Sequence, residues 1–74
     1  MKQTNIEQIK KRLSEEIKNS PLTKKQIAER IGVSAEMVTQ YCTTKKLPSL
    51  ETFAELCKTL NVSSDYILGI TENY

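Results

Sequence analysis

Apolar residues recur along the chain at intervals of three and four, which is the spacing of one face of an α-helix. The first series consists of Ile6, Ile9, Leu13 and Ile17. It predicts a helix over about residues 5–18, begun by a capping box between Thr4 and Glu7. No run of six residues alternates apolar with polar, so strands are not predicted. The expected fold class is all-α.

Four further apolar series follow, each introduced by a hydroxyl side chain suited to cap a helix. The predicted N-caps are Thr23, Ser34, Ser49 and Ser63. Thr23 also forms a capping box with Gln26. The second, third and fourth helices are expected to end near residues 31, 43 and 61, and the fifth is short.

The stretch QIAERIGVSAEMVTQY contains one glycine, Gly32, between two helical patterns. An isolated Gly costs a helix about 1 kcal/mol relative to Ala, so Gly32 is expected to end the second helix in a left-handed conformation. Two short helices joined by such a turn form a helix-turn-helix unit, here about residues 23–43, which presents its second helix to the DNA major groove. An ordinary packed helical hairpin has similar spacing and is the alternative interpretation.

The apolar helix faces are predicted to form one small core, because 74 residues make a single domain, residues 1–74. Within it, Ala28 allows the second and third helices to approach closely, and Tyr41 anchors the third. Leu47, Leu50 and Ala54 are assigned to the same core, as is Ile6. A domain of this size has to bind partners on its surface.

The chain has no histidine and two cysteines, Cys42 and Cys57. This composition excludes the usual zinc sites and any Cys-His or Ser-His catalytic pair. The protein is therefore predicted not to be an enzyme and to need no cofactor, metal or small-molecule ligand. Cys57 lies on an apolar helix face and is interpreted as a buried hydrophobic residue, whereas the role of Cys42 stays open.

Charge is distributed unevenly around a net value of +2. Residues 1–46 carry ten Lys or Arg and five Glu, whereas residues 47–74 carry one Lys and four acids. A basic part joined to an acidic part favours a polyanionic partner on one side of the molecule. No apolar run is long enough to span a bilayer or to form a signal peptide, so the expected location is the cytoplasm, without membrane contact.

Two stretches, LTKKQIAERIGVSAEMVTQY and LPSLETFAELCKTLNVSSDYILG, resemble the phage repressor and Cro type of helix-turn-helix domain. The resemblance covers about residues 6–69. It implies a compact five-helix bundle like that of the lambda repressor, binding to operator DNA as a homodimer, and a role as transcriptional repressor. The family commonly follows the aromatic at position 41 with Glu, a variable residue and Gly. Here Cys42, Thr43 and Thr44 stand instead, so the end of the third helix is uncertain in the sequence.

The third helix carries the candidates for reading bases. They are Ala35, Glu36, Met37, Thr39 and Gln40. By similarity to the family, Ala35, Glu36 and Gln40 occupy the main base-reading positions. Gln40 can bond adenine bidentately, Ala35 can touch a thymine methyl and Glu36 can accept from cytosine, while its charge penalises other sequences. Met37 has an equally good interpretation as core filler.

Phosphate contacts are predicted on both sides of that helix. The candidates are Thr23, Lys24, Ser34, Thr43, Lys45 and Lys46, with backbone amides at the start of the second helix. A further basic cluster, Lys10, Lys11 and Arg12, spreads around the first helix and is interpreted as a solvated face. Lys2 is a weaker candidate, for a flexible arm.

Of these predictions, the homodimer has the least support from sequence patterns. Apolar residues of the tail, Tyr66, Leu68, Ile70 and Tyr74, are assigned either to a dimer contact or to the cap of the monomer's own core. Two alternatives to a repressor stay open. One is the antitoxin of a toxin-antitoxin pair, and the other is a protein-interaction module of the same fold that no longer binds DNA.

Overall fold

The computed structural model describes residues 5–71, and in this part of the chain all regular structure is helical. The helices are α1 (Ile6–Asn19), α2 (Lys24–Ile31), α3 (Ala35–Thr43), α4 (Leu50–Leu60) and α5 (Ser64–Leu68). The all-α prediction of five helices is confirmed. Thr4, Lys2 and Tyr74, which have predicted roles, lie outside the described residues.

Each helix begins at a side chain that accepts a hydrogen bond from the backbone amide three residues later. These N-caps are Asn5, Thr23, Ser34, Ser49 and Ser63. Four of the five are the predicted hydroxyl residues, and the first is Asn5 because α1 starts one residue later than expected. The capping box of α2 is complete, since Thr23 and Gln26 exchange both hydrogen bonds.

The core is built from the inward faces of all five helices. Its fully enclosed members are Leu13, Ile27, Val38, Leu56 and Ile67. Both α1 and α2 pack against α3, α4 packs against α2, and α5 packs against α1. Cys57 is a buried free thiol, as expected, and burial raises its pKa.

Four apolar residues assigned to the core are exposed instead. Ile6 is 52% exposed, Leu47 42% and Leu50 83%, and Ala54 is also exposed. Ile6 and Leu50 are the first residues of α1 and α4, where no described element lies over them. Helical spacing identifies a face but does not show whether another element covers the whole length of that face.

The basic cluster of α1 is not a uniformly solvated face, and that interpretation is wrong for two of its three members. Arg12 is half-buried, donates to the carbonyl of Tyr66 at 2.6 Å and stacks 4.6 Å from the centre of its ring. Lys10 is half-buried too and donates from Nζ to the carbonyl oxygens of Tyr41 and Lys46. Only Lys11 is exposed. α1 is therefore tied by cations to both α3 and α5.

Candidate nucleic-acid interface

The turn between α2 and α3 has the geometry predicted from its glycine. Gly32 takes a left-handed conformation with φ 76° and ψ 32°. The amides of Gly32 and Val33 both donate to the carbonyl of Ala28, at 2.9 and 3.1 Å. Ser34, the N-cap of α3, lies two residues after the glycine. This turn packs α3 against α2 and fixes its direction.

α3 has one face in the core and the opposite face outside. Val38 and Tyr41 are buried between α1 and α2, and the pKa of Tyr41 is raised by that burial. At about 100° per residue, the outward candidates fall within an arc of about 140° on the other side. They are Ala35, Glu36, Thr39, Gln40 and Thr43. Ala35, Glu36 and Thr43 on that face are exposed, and Thr39 and Gln40 are half-exposed.

The predicted base-reading residues differ in how far they project. Ala35 and Glu36, in the first turn of α3, are exposed, and Thr39 and Gln40, one turn later, are half-exposed. Met37 is half-buried and packs against the core, so its side chain faces away from the outward side of α3. The contact of Met37 with the core favours its interpretation as core filler over a role at bases.

At the start of α2, the capping box already uses two of the amides proposed for phosphate. The amide of Gln26 donates to Thr23 Oγ1 at 3.1 Å, and the amide of Thr23 donates to Gln26 Oε1 at 2.9 Å. The first-turn amides of Lys24 and Lys25 are not part of this exchange and, as in any helix, have no acceptor one turn earlier within the helix. A phosphate at this helix end would therefore meet those two amides and the half-exposed Lys24 side chain.

Ser34 is exposed while it caps α3 through its own hydroxyl oxygen, which accepts from the amide of Met37 at 3.0 Å. A hydroxyl group that accepts a hydrogen bond can still donate its own proton, here to a phosphate oxygen. The predicted phosphate role of Ser34 is therefore compatible with its capping role.

The end of α3 closes differently from a glycine turn. Thr44, the C-cap, is extended with φ −122°, and its amide and Oγ1 both donate to the carbonyl of Gln40, at 3.0 and 2.8 Å. Thr43 Oγ1 donates to the carbonyl of Thr39 at 2.9 Å. Lys45 and Lys46 follow, both exposed, in the loop that leads to α4.

Lys10 is the residue of this region that sequence reasoning misassigned. Its ammonium reaches the carbonyl of Tyr41 in α3 and that of Lys46 in the loop, the latter at 2.7 Å. Desolvation lowers the pKa of Lys10, with the neighbouring Cys42 acting in the opposite direction. The available signal was the missing glycine at the end of the third helix, since unpaired carbonyls there attract a cation.

An apolar groove lies on the side of the bundle where α1, α4 and the loop between α3 and α4 meet. Its lining includes Ile6, Leu47, Pro48, Leu50 and Phe53, and its volume is about 320 Å³. Three of the misassigned core residues are thus neighbours around one groove. Ile70 is also exposed, at 71%, whereas Tyr66 and Leu68 are half-buried against the monomer's own core.

Metal sites and membrane-spanning helices were also considered for the described residues. Residues 5–71 bring together no group of three acidic, Cys or His side chains that could hold a metal ion. Among the helices of the same range, none combines the length and the apolar character that a bilayer crossing requires.

Three comparisons relate the chain to known proteins. The model of a helix-turn-helix family matches residues 13–67. The chain is 37% identical over 62 residues to the uncharacterized HTH-type transcriptional regulator YobD of Bacillus subtilis, covering 84% of this chain and 55% of YobD. The chain therefore spans about half the length of that relative. These matches are to regulators and not to enzymes, as predicted.

A solved structure supports the fold. The solution structure of the SOS-response transcriptional repressor LexA from Eubacterium rectale has a TM-score of 0.73 to this chain, and the match covers 85% of this chain and 67% of the solved chain. The sequences are 22% identical. At this identity the match shows that the two chains share a helical fold.

Proposed function

The chain belongs to the helix-turn-helix family of the phage repressor and Cro type, and from this we propose that it is a transcriptional repressor that binds specific sequences of double-stranded DNA. It acts in the cytoplasm, and α3 is its recognition helix. The name of the relative YobD, an HTH-type transcriptional regulator, supports the class of function.

One observation carries the proposal: α3 is held by Val38 and Tyr41 in the core, while the side chains on its opposite face are exposed or half-exposed among residues 5–71. That face carries side chains that fit base edges and not a hydrophobic partner. The major groove admits a helix of this diameter, and the residues near its N-terminus reach the bases first.

The reading roles follow from the chemistry of the outward side chains. Gln40 donates to adenine N7 and accepts from its N6 amino group, and Ala35 places a methyl against that of thymine. Glu36 accepts from the N4 amino group of cytosine, and this hydrogen bond offsets the repulsion between its carboxylate and the phosphates, which acts at every site. A carboxylate at this position thus lowers affinity for incorrect sites.

Phosphate contacts on either side of α3 set the register of the helix in the groove. Lys24 with the amides of Lys24 and Lys25 takes one phosphate at the start of α2, with Thr23 beside it. Ser34, Thr43, Lys45 and Lys46 contact the backbone at the two ends of α3. These residues carry affinity for any duplex, whereas Ala35, Glu36, Thr39 and Gln40 carry specificity.

We also propose that the repressor binds as a homodimer, because operator reading by this motif relies on two half-sites related by a two-fold axis. The apolar groove bordered by Leu47 and Leu50 supports a second copy as its occupant. Exposed apolar side chains gathered in one place mark interaction sites more often than isolated ones do.

The first experiment selects bound duplexes from a random pool and measures affinity for the enriched sequence as salt is raised. We expect an enriched palindrome and a linear fall of log affinity with log salt. Lys45→Ala should reduce the salt slope by about one and weaken all duplexes equally. Lys58→Ala is the matched control, because it removes an exposed lysine of α4 that pairs with Glu55 at 3.7 Å, outside the interface.

The alternatives give different results in the same assay. A protein-interaction module of this fold would show no enrichment and no difference between Lys45→Ala and Lys58→Ala at low salt. An antitoxin would enrich a palindrome too, and would in addition bind a protein partner through a surface outside α3.

A further inference from the structure

α3 ends without the left-handed residue that closes other helices of the bundle. α2, α4 and α5 end at Gly32, Asn61 and Gly69, each with positive φ. The C-cap of α3 is instead the extended Thr44. The last carbonyls of a helix have no partner inside it. Thr44 satisfies the carbonyl of Gln40, and the carbonyl of Tyr41 is satisfied from another helix by Lys10.

Lys10 does more than cap α3, because the same ammonium also donates to the carbonyl of Lys46 at 2.7 Å. One cation thus joins the last turn of α3 to the loop that follows it. A positive charge is favourable at a helix C-terminus, where the dipole is negative. Hydrogen bonds from a charged donor are among the stronger ones, and the one to Tyr41 is partly buried, which limits competition from water there.

We infer that Lys10 is a positioning residue for the DNA interface: it holds the loop carrying Lys45 and Lys46 at a fixed place beside α3, so that both lysines meet the DNA backbone while α3 is in the groove. This rests on the proposed function. Two of the three donors of Lys10 are already used on carbonyls of the protein, so its role is to hold the backbone and not to contact phosphate. It acts through Lys45 and Lys46, whose side chains are exposed.

The first test compares Lys10→Met with Lys11→Met, which removes an exposed lysine from the neighbouring position of α1. Met keeps most of the apolar stem and removes the donors. We expect Lys10→Met to weaken binding of the selected duplex about tenfold, Lys11→Met less than about twofold, and Lys10→Arg to keep most of the affinity because it restores donors. Equal losses for Lys10→Met and Lys11→Met would overturn the inference.

The second test asks whether Lys10 acts through the loop. In a background of Lys45→Ala with Lys46→Ala, the further change Lys10→Met should weaken binding by less than about twofold, because no loop lysines are left to position. A general effect on the fold, or a direct phosphate contact by Lys10, would keep the tenfold loss in this background. That result would overturn the positioning role.

The third test needs no DNA and separates this inference from the proposed function. The amide of Thr44 donates to Gln40, and that of Lys46 donates to Thr44 Oγ1 at 3.1 Å. In Lys10→Met both amides should exchange with solvent faster, while the amide of Gly32, in the turn between α2 and α3, keeps its rate. Unchanged exchange at Thr44 and Lys46, with duplex binding by the unmodified chain intact, overturns the inference alone. Absence of duplex binding by the unmodified chain overturns the proposed function, and the DNA role of Lys10 with it.

Discussion

Gln40 shows how one side chain can be tested for its role in specificity. It lies on the outward face of α3, and its backbone carbonyl, not its amide group, receives the two hydrogen bonds from Thr44. The side chain can therefore be changed without breaking the closure of the helix.

Gln40→Ala should cost about 1–3 kcal/mol of binding free energy on the selected operator and relax the preference at one base position in each half-site. The measurement is affinity on a panel of operators, each with one base pair substituted. Gln8→Ala, at an exposed position of α1, is the control and should change neither quantity. An equal loss on every operator would show that Gln40 does not read a base.

Single residues were predictable where their role is local. Thr23, Ser34 and Gly32 act on neighbours within four residues, so the sequence around them contains the whole interaction. Lys10 and Arg12 bond to carbonyls 31, 36 and 54 residues away. A local charge pattern contains no information on those partners, which is why both residues were misassigned to a solvated face.

At the scale of elements, the left-handed turn at Gly32 sets the angle between α2 and α3. A Cβ at this position would meet no atom within 4 Å, so a side chain has room. The cost of a substitution is therefore conformational and not steric.

Gly32→Ala should lower the free energy of unfolding by about 1–2 kcal/mol, because an L-residue with a Cβ is strained at φ 76°. Gly32→Asn should lower the free energy of unfolding less, because Asn tolerates this conformation, as Asn61 does at the end of α4 with φ 56°. Urea unfolding of the three chains measures the difference. Equal stability of all three would contradict the assignment of strain to this backbone.

Helix boundaries were predicted to within about one residue, because caps and turns are encoded locally. Whether the ends of the helices are buried could not be predicted in this way. The largest difference is at Leu50, which is assigned to the core but is 83% exposed. The first turn of α4 is covered only if another element packs against it. Neither the spacing nor the composition of the sequence shows which element lies there. The outward position of Ala35, Glu36, Thr39 and Gln40 on α3 follows from the same local signals, whereas the contact of α1 with the end of α3 does not.

At the scale of the whole molecule, the proposed dimer can be tested apart from DNA binding. Leu50 borders the apolar groove and contributes little to the monomer's core because it is so exposed. A charge at this position can therefore disturb an interface without unfolding the chain.

Leu50→Lys should shift the chain towards monomer in sedimentation equilibrium and reduce affinity for a palindrome far more than for a single half-site. Its free energy of unfolding, measured on monomer, should stay within about 0.5 kcal/mol. Gln8→Lys, which also adds one positive charge, on an exposed position of α1, is the control for added charge. A dimer that survives Leu50→Lys would place the two-fold contact elsewhere, with the exposed Ile70 as the next position to change.

The two cations of α1 lie two residues apart and bond to different helices. Lys10 bonds to the last turn of α3, and Arg12 bonds to α5 through the carbonyl of Tyr66. A displacement of α1 along its axis would change both contacts at once, so α1 couples the C-terminal end of α3 to α5. A force applied at α5 can therefore reach the end of α3 through α1.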